Sequence, residues 1–387
     1  MRLEIVPTIG GPASVTTRSS SVQLYLDPLL YILAAVSVAW AFAIVRLPLE
    51  QQYNDFVTFW DSVRWNAAGH DLYTAAYRTN WQGPNLNPPA LLLLVVPLTF
   101  LPLVLAQVTW MVMSVILYAL MARWVARELH LPTARVLSIL LISQATFIAI
   151  GSGTFAAPIA ACVTLAWRAQ RLQRDRTSGL WIGVAIACKL FLLPFVGYAV
   201  VRRRWRMCSG IAIGMSSVTL LGLVVFGLAN TELWIRTLGT IDPPMTSYPL
   251  NGSWMGWLAR ALWPDWTYLR TWWRVGVAII ASLMLWQWSR PDSDEDAEWL
   301  GILSGSLLAS PLGWVYYAPL LIGPFAGRHR STLLWVTYGL FCVPFDVLVW
   351  SSLSRAWMLT VESAYFWGFL VLFVASLLRS RRVPAIC

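Results

Sequence analysis

A carboxylate opens the most polar stretch of this chain. In Gln52-Tyr53-Asn54-Asp55-Phe56-Val57-Thr58-Phe59-Trp60-Asp61, apolar residues recur at 56, 59, 60 and 63, the spacing of a short helix with one apolar face. Asp55 stands at the head of that helix, where unpaired N–H groups stabilise a negative side chain. Two roles fit it. It caps the helix, or it serves as a general base that takes a proton from a hydroxyl. The loop continues through Gly69-His70-Asp71-Leu72-Tyr73 to Asn87-Pro88-Pro89. His70 fits a loop hydrogen-bonder. The other two histidines, His130 and His329, fall in loops expected on the opposite face, so no metal site is expected. The second residue able to act on charge is Lys189, the only lysine in the chain, set within an apolar run. A cation there is costly unless it is paired, snorkels or does chemistry.

The elements that must hold these groups are membrane helices. Hydrophobic residues make up 58% of the chain and charged residues 12%, against about 25% charged in a soluble domain. Runs long enough to span recur from Leu26 to Leu378, and backbone in lipid must satisfy its own hydrogen bonds. Apolar runs without alternation exclude a β-barrel. The expected fold is therefore all-α, a polytopic membrane protein of roughly 10–12 helices with interfacial helices in its first outer loop. A tail at 1–27, a transmembrane domain at 28–379 and a tail at 380–387 complete the division.

The net charge of +10 would suggest nucleic acid in a soluble protein, but here the basic residues sit at the ends of apolar runs. Arg171, Arg174 and Arg176, then Arg202, Arg203, Arg204 and Arg206, then Arg328 and Arg330, then Arg379, Arg381 and Arg382 all fall in the cytoplasm by the positive-inside rule. No nucleic-acid partner is expected. That assignment holds only if 88–102 and 180–201 are re-entrant or hairpin-like, which puts Lys189 at an apex. The outer face then carries 48–87, 229–270, the turn at Ser310–Trp314, and 351–363. The five cysteines show no metal spacing and are expected as free thiols.

Taken in order, Asp55-x-x-x-Phe59-Trp60, Gly69-x-x-Leu72-Tyr73, Asn87-Pro88-Pro89 and Pro97-Leu98-x-x-Leu101-Pro102 resemble glycosyltransferase family 87. Gly183 to Lys189 followed by Arg202-Arg203-Arg204-Trp205-Arg206, Asn251-x-Ser253 with Arg260, and Ser310-Pro311-x-x-Trp314 resemble later family segments. The resemblance implies a bacterial GT-C-type enzyme of the plasma membrane, working on the extracytoplasmic side without a cofactor. It implies inverting transfer of a sugar, mannose first and arabinofuranose as the alternative, from a polyprenyl-phosphate donor to a glycolipid or cell-envelope glycan. Asp55 would be the base, and Lys189 and Arg260 would hold the donor phosphate. Asn54, His70, Tyr73, Asn87, Asn251, Ser253, Trp314, Tyr316 and Tyr317 would contact substrates. The family turn continues Trp-acidic-His-Tyr, whereas this chain has Trp314-Val315-Tyr316-Tyr317, so Tyr316 would stand in by hydrogen bonding. The arginine bias points to a GC-rich genome.

Two other classes share some of these features. A lipid-linked sugar transporter or flippase would also carry intramembrane charge and broken helices. It would not need an acid at the head of the first outer loop, and no inverted repeat is visible. A non-catalytic scaffold would keep the fold and lose the chemistry. The tryptophans from Trp254 to Trp273 serve either as an interfacial aromatic belt or as stacking surfaces for sugar.

Overall fold

A computed structural model describes residues 21–44, 54–73, 85–239, 241, 243–291, 294–328, 332–349 and 354–378. The described residues are mainly helical and include no strand beyond one isolated antiparallel bridge between Asn251 and Trp314. In chain order the helices are α1 (Ser21–Ile44), α2 (Asp55–Ala67), α3 (Pro89–Leu92), α4 (Leu103–Leu129), α5 (Thr133–Ile142), α6 (Gln144–Gly151), α7 (Ala156–Arg171), α8 (Asp175–Cys188), α9 (Pro194–Val201) and α10 (Trp205–Leu238). They continue as α11 (Pro243–Thr246), α12 (Trp254–Ala261), α13 (Leu269–Ser289), α14 (Glu295–Ala309), α15 (Ile322–Gly327), α16 (Thr332–Phe341), α17 (Phe345–Val349), α18 (Arg355–Leu359) and α19 (Ala364–Leu377). Helix α1 begins at Ser21, seven residues before the boundary expected for the first tail (28 − 21 = 7). Of the expected outer loop, 48–53 and 74–84 lie outside the described residues.

The chain is an all-α polytopic membrane protein, but few of its helices are full spans. By length and composition, Leu103–Leu129, Trp205–Leu238 and the stretch Arg355–Leu377 can each cross a bilayer alone. A fourth span forms if α5 and α6, bent by 74° at Ser143, count as one. Several of the remaining apolar stretches are broken, interrupted by proline, by Lys189 or by tight turns. Such breaks are tolerated where they lie inside the protein or line a cavity.

Ion pairs define one end of the bundle. Arg171 pairs with Asp296 at 2.9 Å and approaches Glu128, Arg204 pairs with Asp175 at 3.1 Å and with Glu295 at 2.9 Å, and Arg202 pairs with Glu298. Trp167 donates to Asp296 at 2.8 Å and the Tyr198 hydroxyl to Glu298 at 3.0 Å. These residues lie at the ends of α4, α7, α8, α9, α10 and α14, so all six helices have an end here. Arginines expected to serve topology alone thus also neutralise a cluster of partly buried carboxylates, which would be costly unpaired. Burial pushes the Asp296 pKa up, against the pull of Trp167 and Arg171.

The segment around Lys189 is a hairpin. Helices α8 and α10 pack in parallel, with Gly179 against Met207, Gly183 against Ile211 and Gly214 against Leu180. Two small-x-x-x-small faces, Gly179/Gly183 and Gly210/Gly214, let the backbones touch. Because α10 starts beside the start of α8, the chain must turn back between them. It turns at Lys189, an extended residue (φ −149, ψ 107) followed by the 3-10 turn Leu190–Leu192 and α9. The Arg204–Asp175 pair closes the hairpin's base.

A Cβ at Gly183 would come within 2.3 Å of the Ile211 carbonyl oxygen. Gly183→Leu should therefore wedge α8 from α10 and cost about 1–3 kcal/mol or more. The expected readout is a lower Tm of the detergent-purified protein. An unchanged Tm would mean that this close approach does not occur.

The stretch 88–102 likewise holds no helix long enough to cross a bilayer. Helix α3, the 3-10 turn Val96–Phe100 and the start of α4 form a short dip, with Ala90 packed against Gly222 of α10.

Candidate active site

The far end of the bundle holds a cavity of about 670 Å³. Its wall is assembled from segments distant in sequence: Asp55, Thr58 and Phe59 of α2; Asn87 and Pro88; Thr154 and Phe155 ahead of α7; and Lys189 with Leu190, Phe191 and Pro194. Trp234 and Leu238 of α10, Tyr248, Ser306 of α14, and the Ser310–Leu312, Trp314, Tyr316 and Tyr317 stretch close it.

Helix α2 is set by its own first turn and by four contacts outside it. Asn54 is the N-cap and its side chain accepts from the Val57 N–H at 3.3 Å. The Phe56 N–H donates to the Ser152 carbonyl at 3.1 Å, and Phe59 stacks on Phe155 with centroids 4.3 Å apart. Trp60 donates its indole N–H to the Leu98 carbonyl at 3.3 Å. Gly153 makes the closest approach. It has a positive φ of 66°, and a Cβ there would lie 2.6 Å from Phe56 Cβ. The capping role open to Asp55 thus falls to Asn54, and the Asp55 carboxylate lines the cavity one residue into the helix.

Lys189 faces Asp55's side of the same space. Its ammonium lies 5.6 Å from the centroid of the Tyr317 ring, and Asp55 acts electrostatically on both Lys189 and Tyr317. Among the described residues that line the cavity, Asp55 is the one carboxylate and Lys189 the one cation. Trp314 stacks on Tyr316 at 6.0 Å, and Tyr316 meets Tyr317 edge-on at 4.9 Å.

Six residues singled out from sequence therefore meet at the cavity: Asp55, Asn87, Lys189, Trp314, Tyr316 and Tyr317. The other six do not line it. Asn54 caps α2. His70 is exposed and stacks on Trp65 with centroids 4.1 Å apart. Tyr73 donates its hydroxyl to the Asn87 carbonyl at 2.8 Å, so it positions a lining residue. Asn251 accepts from the Ser253 and Gly313 N–H groups and donates to the Thr246 and Pro311 carbonyls. Ser253 caps α12, its hydroxyl accepting from Gly256 N–H at 3.0 Å and donating to Pro311 at 3.3 Å. Asn251 and Ser253 thus staple the second outer loop to the turn that carries Trp314.

Arg260 differs most from its expected role. It is buried, and its guanidinium donates to the Ser363 hydroxyl and to the carbonyls of Ser247, Tyr248 and Asn251 at 3.0–3.3 Å. Burial pushes its pKa down to about 10, with Glu362 opposing the shift. This arginine pins the loop under Tyr248 and does not face the cavity. Arg260→Ala should remove the four hydrogen bonds of a buried guanidinium and cost about 3 kcal/mol. The expected result is a lower Tm with the donor KM of the remaining folded protein unchanged. A raised donor KM at normal stability would return Arg260 to phosphate binding.

Sequence reasoning missed Thr58, Thr154, Phe191, Trp234, Tyr248 and Ser306. Nothing in their local pattern separates them from ordinary residues of apolar helices and loops. Trp234 is held by a bond from its indole N–H to the Leu86 carbonyl at 3.1 Å.

A cavity at the end of a broken-helix membrane bundle, with one acid and one cation, is a framework that several enzyme classes could use. The sequence match decides among them. The model of glycosyltransferase family 87 matches residues 85–311, more than half of the chain. The chain belongs to glycosyltransferase family 87. It is a membrane glycosyltransferase. No curated protein and no solved structure matches it significantly. The match to family 87 includes Asn87, Lys189 and Ser306 and leaves out Asp55, Trp314, Tyr316 and Tyr317. The fold joins these last four to the matched region in a single cavity.

Proposed function

We propose that this transferase moves a sugar from a polyprenyl-phosphate donor to an acceptor hydroxyl by single displacement with inversion. Mannose is the sugar favoured by the resemblance set out above, and arabinofuranose is the alternative. A glycolipid or cell-envelope glycan is the acceptor. The observation that carries the reading is the convergence of Asp55 and Lys189, far apart in sequence, on one cavity beside Tyr317.

In this reading Asp55 takes the proton from the acceptor hydroxyl as its oxygen bonds to the anomeric carbon. The bond from that carbon to the phosphate oxygen breaks with its electron pair staying on phosphate, and polyprenyl phosphate leaves. Lys189 neutralises the charge that develops on the departing oxygen. A lone carboxylate suits a base in a one-step displacement, with no second acid in the described wall to act as nucleophile. The apolar lining, including Leu190, Phe191, Leu238, Met245 and Leu312, suits a lipid-borne substrate. Trp314 and Tyr316 offer ring faces to a sugar.

The ion-paired, arginine-rich end would face the cytoplasm and the cavity the extracytoplasmic side. Cysteine labelling from each side tests this. The expected result is modification of a cysteine at position 204 only from the cytoplasmic side, and outside labelling there would invert the topology. Transfer from a labelled polyprenyl-phosphate sugar in membranes tests the activity. Movement of the lipid-linked sugar across the bilayer without transfer would favour a flippase.

A further inference from the structure

Lys189 cannot by itself meet the needs of a departing phosphate. Preorganised catalysis of charge departure uses several donors aimed at the developing anion. With Arg260 committed to the loop beneath Tyr248, the described wall offers no second cation. Neutral donors are what remain, and one of them, a hydroxyl, stands apart.

Ser306 lies near the end of α14, which packs against the 3-10 turn Leu190–Leu192 directly after Lys189. The residue lines the cavity and is 2% exposed. A helical serine in an apolar setting ordinarily satisfies its hydroxyl on the carbonyl one turn back. Ser304, two residues earlier, does so with the Leu300 carbonyl at 2.5 Å. The Ser306 hydroxyl makes no hydrogen bond to any of the described residues. It is the one such buried side-chain atom among the described residues that line the cavity. Leaving a hydroxyl unmatched in low dielectric is unfavourable. The hydroxyl is covered where it stands, and a rotation about χ1 would present it to an occupant of the cavity.

We propose that Ser306 is a substrate-binding residue whose hydroxyl donates to the phosphate oxygen held by Lys189. This rests on the polyprenyl-phosphate reading above. Phosphate is favoured over sugar because α14 borders the Lys189 turn, and because a hydrogen bond to a charged acceptor offsets the burial best.

The test measures binding to the detergent-purified full chain by ligand-induced thermal stabilisation. Farnesyl phosphate and farnesol serve as probes that differ only in the phosphate. The wild type should bind farnesyl phosphate more tightly than farnesol. Ser306→Ala should weaken farnesyl phosphate about tenfold and leave farnesol unchanged. Ser306→Thr should retain much of the affinity, and Ser304→Ala should match the wild type. If Ser306→Ala binds farnesyl phosphate normally, or loses farnesol equally, the hydroxyl does not hold phosphate and the inference falls alone. If the wild type shows no preference for farnesyl phosphate, the donor reading fails and takes this inference with it.

Discussion

Asp55→Asn will fold normally and lose turnover by about a hundredfold or more. Asparagine keeps the size of the side chain and loses its ability to accept a proton. The helix does not depend on the carboxylate for its cap, because Asn54 already takes the Val57 N–H. An acid in the first turn contributes about 0.3–1 kcal/mol to the helix. A structural role therefore predicts a small drop in Tm and near-normal transfer. A base predicts an unchanged fold and a dead enzyme. Two aspartates of the same loop are controls. Asp71 accepts from the Tyr73 N–H at 3.0 Å in a turn, and Asp61 lies farther along α2 and outside the cavity wall. Their asparagine variants should stay within a few-fold of wild type. Transfer that survives Asp55→Asn and dies with Asp61→Asn or Asp71→Asn would assign the base elsewhere.

Lys189→Ala should cut kcat/KM for the donor by about a hundredfold, or about 2.7 kcal/mol of transition-state stabilisation. Alanine fits the extended backbone at this position, so the hairpin should survive. The loss should fall on donor use, with the acceptor KM nearly unchanged. Lys189→Arg should keep part of the activity, since the charge persists while the reach and geometry differ. The pair also predicts an asymmetry. Asp55 acts electrostatically on Lys189, so it competes with an incoming phosphate for that cation. Asp55→Asn should then bind farnesyl phosphate at least as tightly as wild type, although it cannot turn over. Lys189→Ala should bind it weakly. Normal turnover by a folded Lys189→Ala protein would make this lysine structural, and weaker phosphate binding by Asp55→Asn would show that the acid organises the site instead of opposing its ligand.

These expectations separate what each level of structure contributes. Composition and long apolar runs without alternation determined that the chain is an all-helical membrane protein, because a backbone surrounded by lipid pairs its own hydrogen bonds only in helices or closed barrels. Spacing placed a carboxylate in the first turn of a helix after the first apolar run. The arginines flanking 180–201, together with one lysine in its centre, implied a chain that turns back at Lys189. Local signals of this kind are legible because their physics is local: a dipole at a helix end, or a charge that cannot cross a membrane.

Tertiary structure decided the rest. Asn54 and Asp55 can both cap a helix, and only the packing of Phe56 on Gly153 and Phe59 on Phe155 fixes which one does. Arg260 looked available because its partners, the carbonyls of Ser247, Tyr248 and Asn251 and the Ser363 hydroxyl, are backbone atoms and a residue from another loop. Backbone carbonyls leave no trace in a sequence. Asn251 and Ser253 carry a motif, yet the fold spends both on stapling two loops together. Ser306 is one serine among many in apolar helices. Only the absence of a partner at a cavity wall distinguishes it, and a missing hydrogen bond can be seen only once every neighbour has been placed.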